Sequence, residues 1–345
     1  MNLKKTLALG AAASALMATG AMAQEVTLKL HQFLPAQANV PKLILDVWAD
    51  KVEASSEGRI KIDRFPSMQL GGRPPELIDR AIDGVDDIVW TVVGYTPGRF
   101  PSTEVFELPF MVANPDDASC AYWTMFEEGM ADTEFKDLEI LGTWVHGPGV
   151  IHTADPVEEP ADLEGMKIRG GSRLVNDLLS AAGATPVGMP APAISESLSK
   201  GVIDGTTLPW EVAPALKIPE LVENHTEFEG NALYTLTFVL AMNKAKYDAL
   251  SDANKAAVVA NSGMSFSVFA TKVMQQEDAR ARARAIDDGN TIITISDTSG
   301  WQNIASSVYQ SWIDDMAEKR LDGQAMIDRA QALMAGDCLG ADSDY

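Results

Sequence analysis

From Val26 to Phe33 the chain alternates apolar and polar positions as V-T-L-K-L-H-Q-F, the two-residue period of a half-buried strand. Pro41 to Ala54 changes to helical spacing, with Leu43, Val47 and Val52 on or near one face, and Gly58 stops it. Arg59 to Phe65 alternates again. Pro74 and Pro75 open a helix running to Asp83. Val85 to Val93 is a third strand, nearly all apolar in its second half, as expected of a strand covered on both faces. This alternation of strand and helix predicts an α/β class with a parallel sheet. Ligands of such sheets sit beyond the C-terminal ends of the strands. The reasoning gathers His31, Phe33, Gln69, Trp90 and Tyr95 at one edge as candidate ligand residues. For Phe33 and Trp90 the competing reading is ordinary core, where aromatics at strand ends commonly sit.

A helix is expected from Asp116 to Gly129 and a strand from Leu138 to His146. Gly147-Pro148-Gly149 then breaks the pattern and is read as a first crossing into a second domain. Val150 to Glu211 repeats the strand and helix alternation. Leu233 to Met242 reads as a long strand and the return crossing, and two crossings make a cleft that can hinge. Ser251 to Ile286 reads as one very long helix, Thr291 to Ile295 as a short strand, and Trp301–Arg320 and Gly323–Ala335 as closing helices. The predicted division is a first lobe of residues 24–147 plus 235–274 and a second of 148–234 plus 275–335, with 336–345 an acidic tail.

Within the second lobe, Met166 to Arg169 is a short strand that ends on a cation, followed by Gly170, Gly171 and Ser172. Ser172 is placed to cap a helix beginning near Arg173. A guanidinium at a strand end, beside a helix N-terminus, suits a carboxylate in both donor geometry and partial charge. Arg173 is a second cation candidate at the same helix start. From the residues alone, Arg169 either binds a ligand or pairs with a structural Asp or Glu.

Composition narrows the partners. Lys4 and Lys5, the apolar run Leu7–Met17 and the small-residue pattern Ala21-Met22-Ala23 read as an export signal over residues 1–23. Without it the chain carries 25 basic and 49 acidic side chains, a net charge of −24. Such a surface excludes nucleic acid and anionic lipid as partners. No later stretch is long enough to insert in a membrane. The expected location is the bacterial periplasm, where Cys120 and Cys338 either form one disulfide or remain two thiols. His31, His146, His152 and His225 are scattered, so neither a metal nor another cofactor is expected. The chain has no G-x-S-x-G elbow, and its cysteines lack an obvious histidine partner, which argues against an enzyme.

Several motifs occur in a recurring order: Q-L-G-G at Gln69–Gly72, E-L-P-F-M at Glu107–Met111, D-L-E-G-M-K-I-R at Asp162–Arg169, G-A-T-P-V-G-M-P at Gly183–Pro190 and G-V-I-D-G at Gly201–Gly205. With the export signal, the chain resembles the solute-binding subunits of tripartite ATP-independent periplasmic (TRAP) transporters, the DctP-like group. That resemblance implies a two-lobed periplasmic binding protein of type II-like α/β fold with a long helix spanning both lobes. It implies a small organic acid as ligand, and small and large TRAP membrane subunits driven by sodium as partners. It puts the family's carboxylate-binding arginine on Arg169. Two positions depart from the pattern. Leu208 stands where many members carry Asn, and Gly149 where many carry Arg. Both changes remove polar groups, so the expected ligand is a monocarboxylate with an otherwise less polar body: an aromatic, keto or hydroxy acid. Trp210 and Tyr234 are expected to supply aromatic wall. Glu211 either faces the cleft, favouring a cation or hydroxyl on the ligand, or lies hinge-side. A four-carbon dicarboxylate or a zwitterionic onium acid is the alternative ligand, and an enzyme or sensor on the same scaffold the alternative role.

Overall fold

The computed structural model describes residues 24–338 and Tyr345; the expected export signal and residues 339–344 of the acidic tail lie outside them. The first run of elements is β1 (Val26–His31), α1 (Asp46–Ser55), β2 (Ile60–Phe65), α2 (Leu77–Ile82), β3 (Ile88–Val92), α3 (Pro115–Met125) and β4 (Leu138–Val145). A second run follows: β5 (Val150–Thr153), β6 (Lys167–Gly170), α4 (Arg173–Ala181), β7 (Thr185–Gly188), α5 (Ile194–Ser199), β8 (Gly205–Leu208), α6 (Ile218–Leu221) and β9 (Asn224–Phe228). The chain returns as β10 (Thr237–Asn243). It closes with α7 (Lys244–Asp248), α8 (Asp252–Val259), α9 (Met264–Asp287), β11 (Thr291–Ile295), α10 (Ser299–Glu318) and α11 (Gly323–Ala332).

These strands form two sheets, ordered β2-β1-β3-β10-β4 and β11-β9-β5-β8-β6-β7. In the first, β1 is parallel to β2 and β3, as the alternation predicts. β10 is antiparallel to both β3 and β4. It enters beside Val145, where β4 ends, and so must run back against its neighbours. The ends of β3 and β4 thus meet the two chain crossings, and that edge faces the second sheet. Residues 233–236, expected to be strand, form the crossing itself. There Gly149 N–H donates to the Tyr234 carbonyl at 3.0 Å.

Helix α4 shows how local sequence fixes local structure. Ser172 Oγ accepts from Val175 N–H at 3.5 Å, the cap expected from the sequence. Leu174, Val175, Leu178 and Leu179 are buried on one face, each stabilising by roughly 1.5–3 kcal/mol.

The long helix expected over Ser251–Ile286 is broken between α8 and α9. Gly263 takes φ +80°, a left-handed value that an L side chain resists. Its N–H leaves the helix to donate to the Leu141 carbonyl at 2.8 Å. Downstream, α9 runs along both halves of the molecule. Phe266, Val268, Ala270 and Met274 are buried on the side of α3 and β4, while Ala281 and Ala285 pack with Val150 and Trp210 beside the second sheet.

Helix α10 rests on α4, whereas α11 packs against α3 and residues 101–107. Cys338, just beyond α11, is disulfide-bonded to Cys120 on α3, 218 residues away in sequence. A cross-link closing so long a loop restricts the unfolded chain strongly. Replacing both cysteines by serine is expected to lower stability by ~2–4 kcal/mol, the usual range for such a bond. Urea unfolding of the oxidised protein and the variant measures this, and coincident curves would refute it.

Candidate functional site

Arg169 sits at the C-terminal end of β6, flanked by β7 and β8, which both run parallel to it. Its side chain is buried, with 1% relative exposure. Nε donates to the Met189 carbonyl at 2.8 Å and Nη1 to the Thr207 carbonyl at 2.9 Å, so two neighbouring strand ends hold the guanidinium in one orientation. Among the described residues no carboxylate pairs with it. Two carbonyl dipoles do not neutralise a buried unit charge, and an unpaired buried ion is costly.

Opposite lies an aromatic wall from the first sheet. Phe33 and Trp90 stack with centroids 4.7 Å apart, and Phe238 stacks on the other side of Trp90 at 5.4 Å. Tyr95 leans on Phe33 at 5.6 Å, and its hydroxyl accepts from Ala191 N–H at 2.9 Å, bridging the sheets. Leu208, Pro209, Glu211 and Val212 close the remaining side. The space between these walls is about 30 Å³, far below the range for small-molecule sites, so the walls must part to admit a ligand.

Of the sequence candidates, Arg169, Leu208, Glu211, Phe33, Trp90 and Tyr95 line this one cavity. The others are placed elsewhere. Trp210 turns to the opposite side of the segment from Glu211 and packs edge-on against His152 and His225 at 5.3 and 4.9 Å. The two residues are adjacent, and only one of them faces the cavity. Tyr234 lies behind the wall: a Cβ on Gly149 would overlap its ring, so that ring occupies the space a side chain at 149 would need. His31 is fully buried, and its Nδ1 pairs with Asp86 at 2.7 Å. Asp86 is held in turn by Arg80. Gln69 is exposed on its loop. Arg173 is bound by Glu104 and Asp315, each at 2.6 Å. It fastens residues 101–107 to α4 and α10.

Residues 33–315 match the family of bacterial extracellular solute-binding proteins, family 7, known as DctP. The chain belongs to that family. Among solved structures it is similar to a TRAP solute-binding protein from Rhodoferax ferrireducens T118 with copurified benzoate. The two are 48% identical over 90% of this chain and 98% of that one, with a TM-score of 0.87. A TRAP protein of a marine metagenome, from an unidentified microbe, was solved with 3-hydroxybenzoate. It is 42% identical over 91% and 99% of the two chains, TM-score 0.88. A TRAP protein from Bordetella bronchiseptica with bound (R)- and (S)-mandelate is 29% identical over 90% and 99%, TM-score 0.83. The fold is the two-lobed α/β fold of these proteins. Members of the DctP family are periplasmic solute-binding proteins that serve transport. Among the described residues no helix is long and apolar enough to cross a membrane.

This DctP-family cavity also contains residues that sequence reasoning passed over: His146, Val92, Leu236 and Phe238. All lie at or near the crossings, and the break at Gly147-Pro148-Gly149 was the available signal for His146. Its Nδ1 donates to the Gly147 carbonyl, and its Nε2 accepts from Leu236 N–H at 3.0 Å. Burial, reinforced by the charge of Arg169, pushes its pKa down to about 4, so the imidazole stands neutral beside the guanidinium.

Three buried carboxyls surround the crossings. Burial pushes Glu107 up to about 7, although its Oε1 accepts from Thr237 N–H at 3.1 Å and from Thr237 Oγ1 at 2.7 Å. Burial likewise raises Asp278 to about 7, and Glu211 well above the usual carboxylate range, with Asp278 and Glu277 adding to the latter. An acid that holds its proton more tightly when folded loses stability as pH rises from its unfolded value through its folded one. For Glu107 that window is pH 4.5 to about 7. Relative to Glu107→Gln, the native protein is expected to lose up to ~3 kcal/mol between pH 5 and pH 8. Chemical denaturation across that range tests this; the difference cancels the histidines common to both proteins, and parallel profiles would count against it.

Proposed function

We propose that the protein captures a small aromatic monocarboxylate between its two lobes in the periplasm and delivers it to the sodium-driven membrane subunits of a TRAP transporter. The observation that carries this reading is Arg169, buried and without a carboxylate partner among the described residues, in a cavity walled by stacked aromatic rings. An aromatic acid matches both parts. Its carboxylate neutralises the guanidinium through a paired donor fork, and its ring lies against Phe33, Trp90 and Phe238. The aromatic acids bound by the two solved proteins more than 40% identical to this chain support the same chemistry. The role needs no covalent step, and the protein releases the solute unchanged.

The lobes are proposed to hinge at residues 146–149 and 229–236 and along α9. Closure excludes water, which strengthens the ion pair by lowering the dielectric around it. Ligand-bound protein is then more stable by mass action.

Isothermal titration with benzoate is the direct test. The native protein is expected to bind, and Arg169→Ala to lose at least ~100-fold in affinity, the scale for removing one partner of a buried charge pair. Undiminished affinity in a folded Arg169→Ala variant would defeat the reading.

A further inference from the structure

Among the described residues Glu211 is the one acidic side chain in the cavity wall, and the role of an anion receptor does not explain it. Its backbone is fully engaged: the N–H donates to Asp278 Oδ1 at 2.7 Å, and the carbonyl accepts from Asn39 Nδ2 at 2.7 Å. These contacts, from α9 and from the chain just before residue 40, fix the residue where the two sheets meet. The residue is 3% exposed, and its Oε2 has no hydrogen-bond partner among the described residues. A buried polar atom left unmade is destabilising and calls for a partner that the chain does not supply. Glu211 and Arg169 share no hydrogen-bond partner. Arg169 is held by residues 189 and 207, Glu211 by 39 and 278. The cavity therefore has two separate polar points on an otherwise apolar and aromatic lining.

We infer that Glu211 is a specificity-determining residue: its Oε2 takes a hydroxyl group carried on the ring of the aromatic acid whose carboxylate is held by Arg169. This rests on the aromatic-acid reading and refines it to hydroxy-substituted acids. A phenolic hydroxyl both donates and accepts, so it satisfies a neutral carboxyl whichever oxygen carries the proton. Neutrality follows from the surroundings. The carboxyl is desolvated, and the charged groups acting on it are Asp278 and Glu277 on α9, both acidic. A protonated Glu211 does not repel the anion at the other end of the ligand. An acid lacking the hydroxyl leaves Oε2 unsatisfied, and sites of this kind reject such analogues strongly.

The test is a titration of native protein, Glu211→Gln and Glu211→Leu with benzoate, 3-hydroxybenzoate, 4-hydroxybenzoate and 3-(aminomethyl)benzoate, with thermal melts to confirm folding. Native protein is expected to prefer one of the hydroxylated acids over benzoate by at least ~10-fold, the scale of one buried hydrogen bond. Glu211→Gln keeps a preference because its amide still donates and accepts. Glu211→Leu loses it while still binding benzoate. Equal affinity of the native protein for benzoate and both hydroxybenzoates overturns the inference and leaves the aromatic-acid reading intact. So does an unchanged ratio in Glu211→Leu, or a native preference for the ammonium-bearing acid. Failure of the native protein to bind any of the four sinks both.

Discussion

A buried cation without an anion organises this molecule. Arg169 is held by two main-chain carbonyls at strand ends, and no carboxylate among the described residues neutralises it. The energy of placing the charge there is recovered only when a carboxylate arrives and water leaves. In the proposed reading, binding and closure are therefore coupled, and the complex favours the closed state more than the protein alone does. A protein glutamate beside Arg169 would have stabilised the empty chain and removed this dependence.

Arg173, four positions on, illustrates the other fate of an arginine. It lies between Glu104 and Asp315, and Glu104 also accepts from Trp312 Nε1 at 3.1 Å. That network joins residues 101–107 to α4 and α10 and leaves Arg173 no free charge for a solute. One arginine fastens the scaffold and the other is left, in the proposed reading, to meet the ligand. The difference lies in which carboxylates the fold brings near, since the side chains are the same.

Local signals in the sequence carried much of this. The strand ending on Arg169, the cap at Ser172 and the aromatic positions Phe33 and Trp90 follow from short-range pattern, because strand period and capping chemistry are set within a few residues. Long-range pairing was not legible. His31 finds Asp86 55 residues away, and Arg173 finds Glu104 and Asp315 at separations of 69 and 142. No periodicity reports such meetings. The placement of Trp210 and Glu211 was missed for a different reason. After Pro209 the strand gives way to a short turn, and the side facing the cavity is decided by the packing of Trp210 against the histidine pair. The break at Gly263 was hidden because no proline marks it and a lone glycine is tolerated inside helices.

Gly149 and Tyr234 are joined by a main-chain hydrogen bond, and the ring of one fills the volume that a side chain on the other would require. These two positions therefore behave as a single evolutionary character. A long polar residue cannot enter at 149 while the ring stays, and removing the ring first leaves a void behind the cavity wall. Drift toward more heavily hydroxylated solutes must pass through a less stable intermediate or change both residues together. That barrier would keep a lineage built this way committed to its class of ligand.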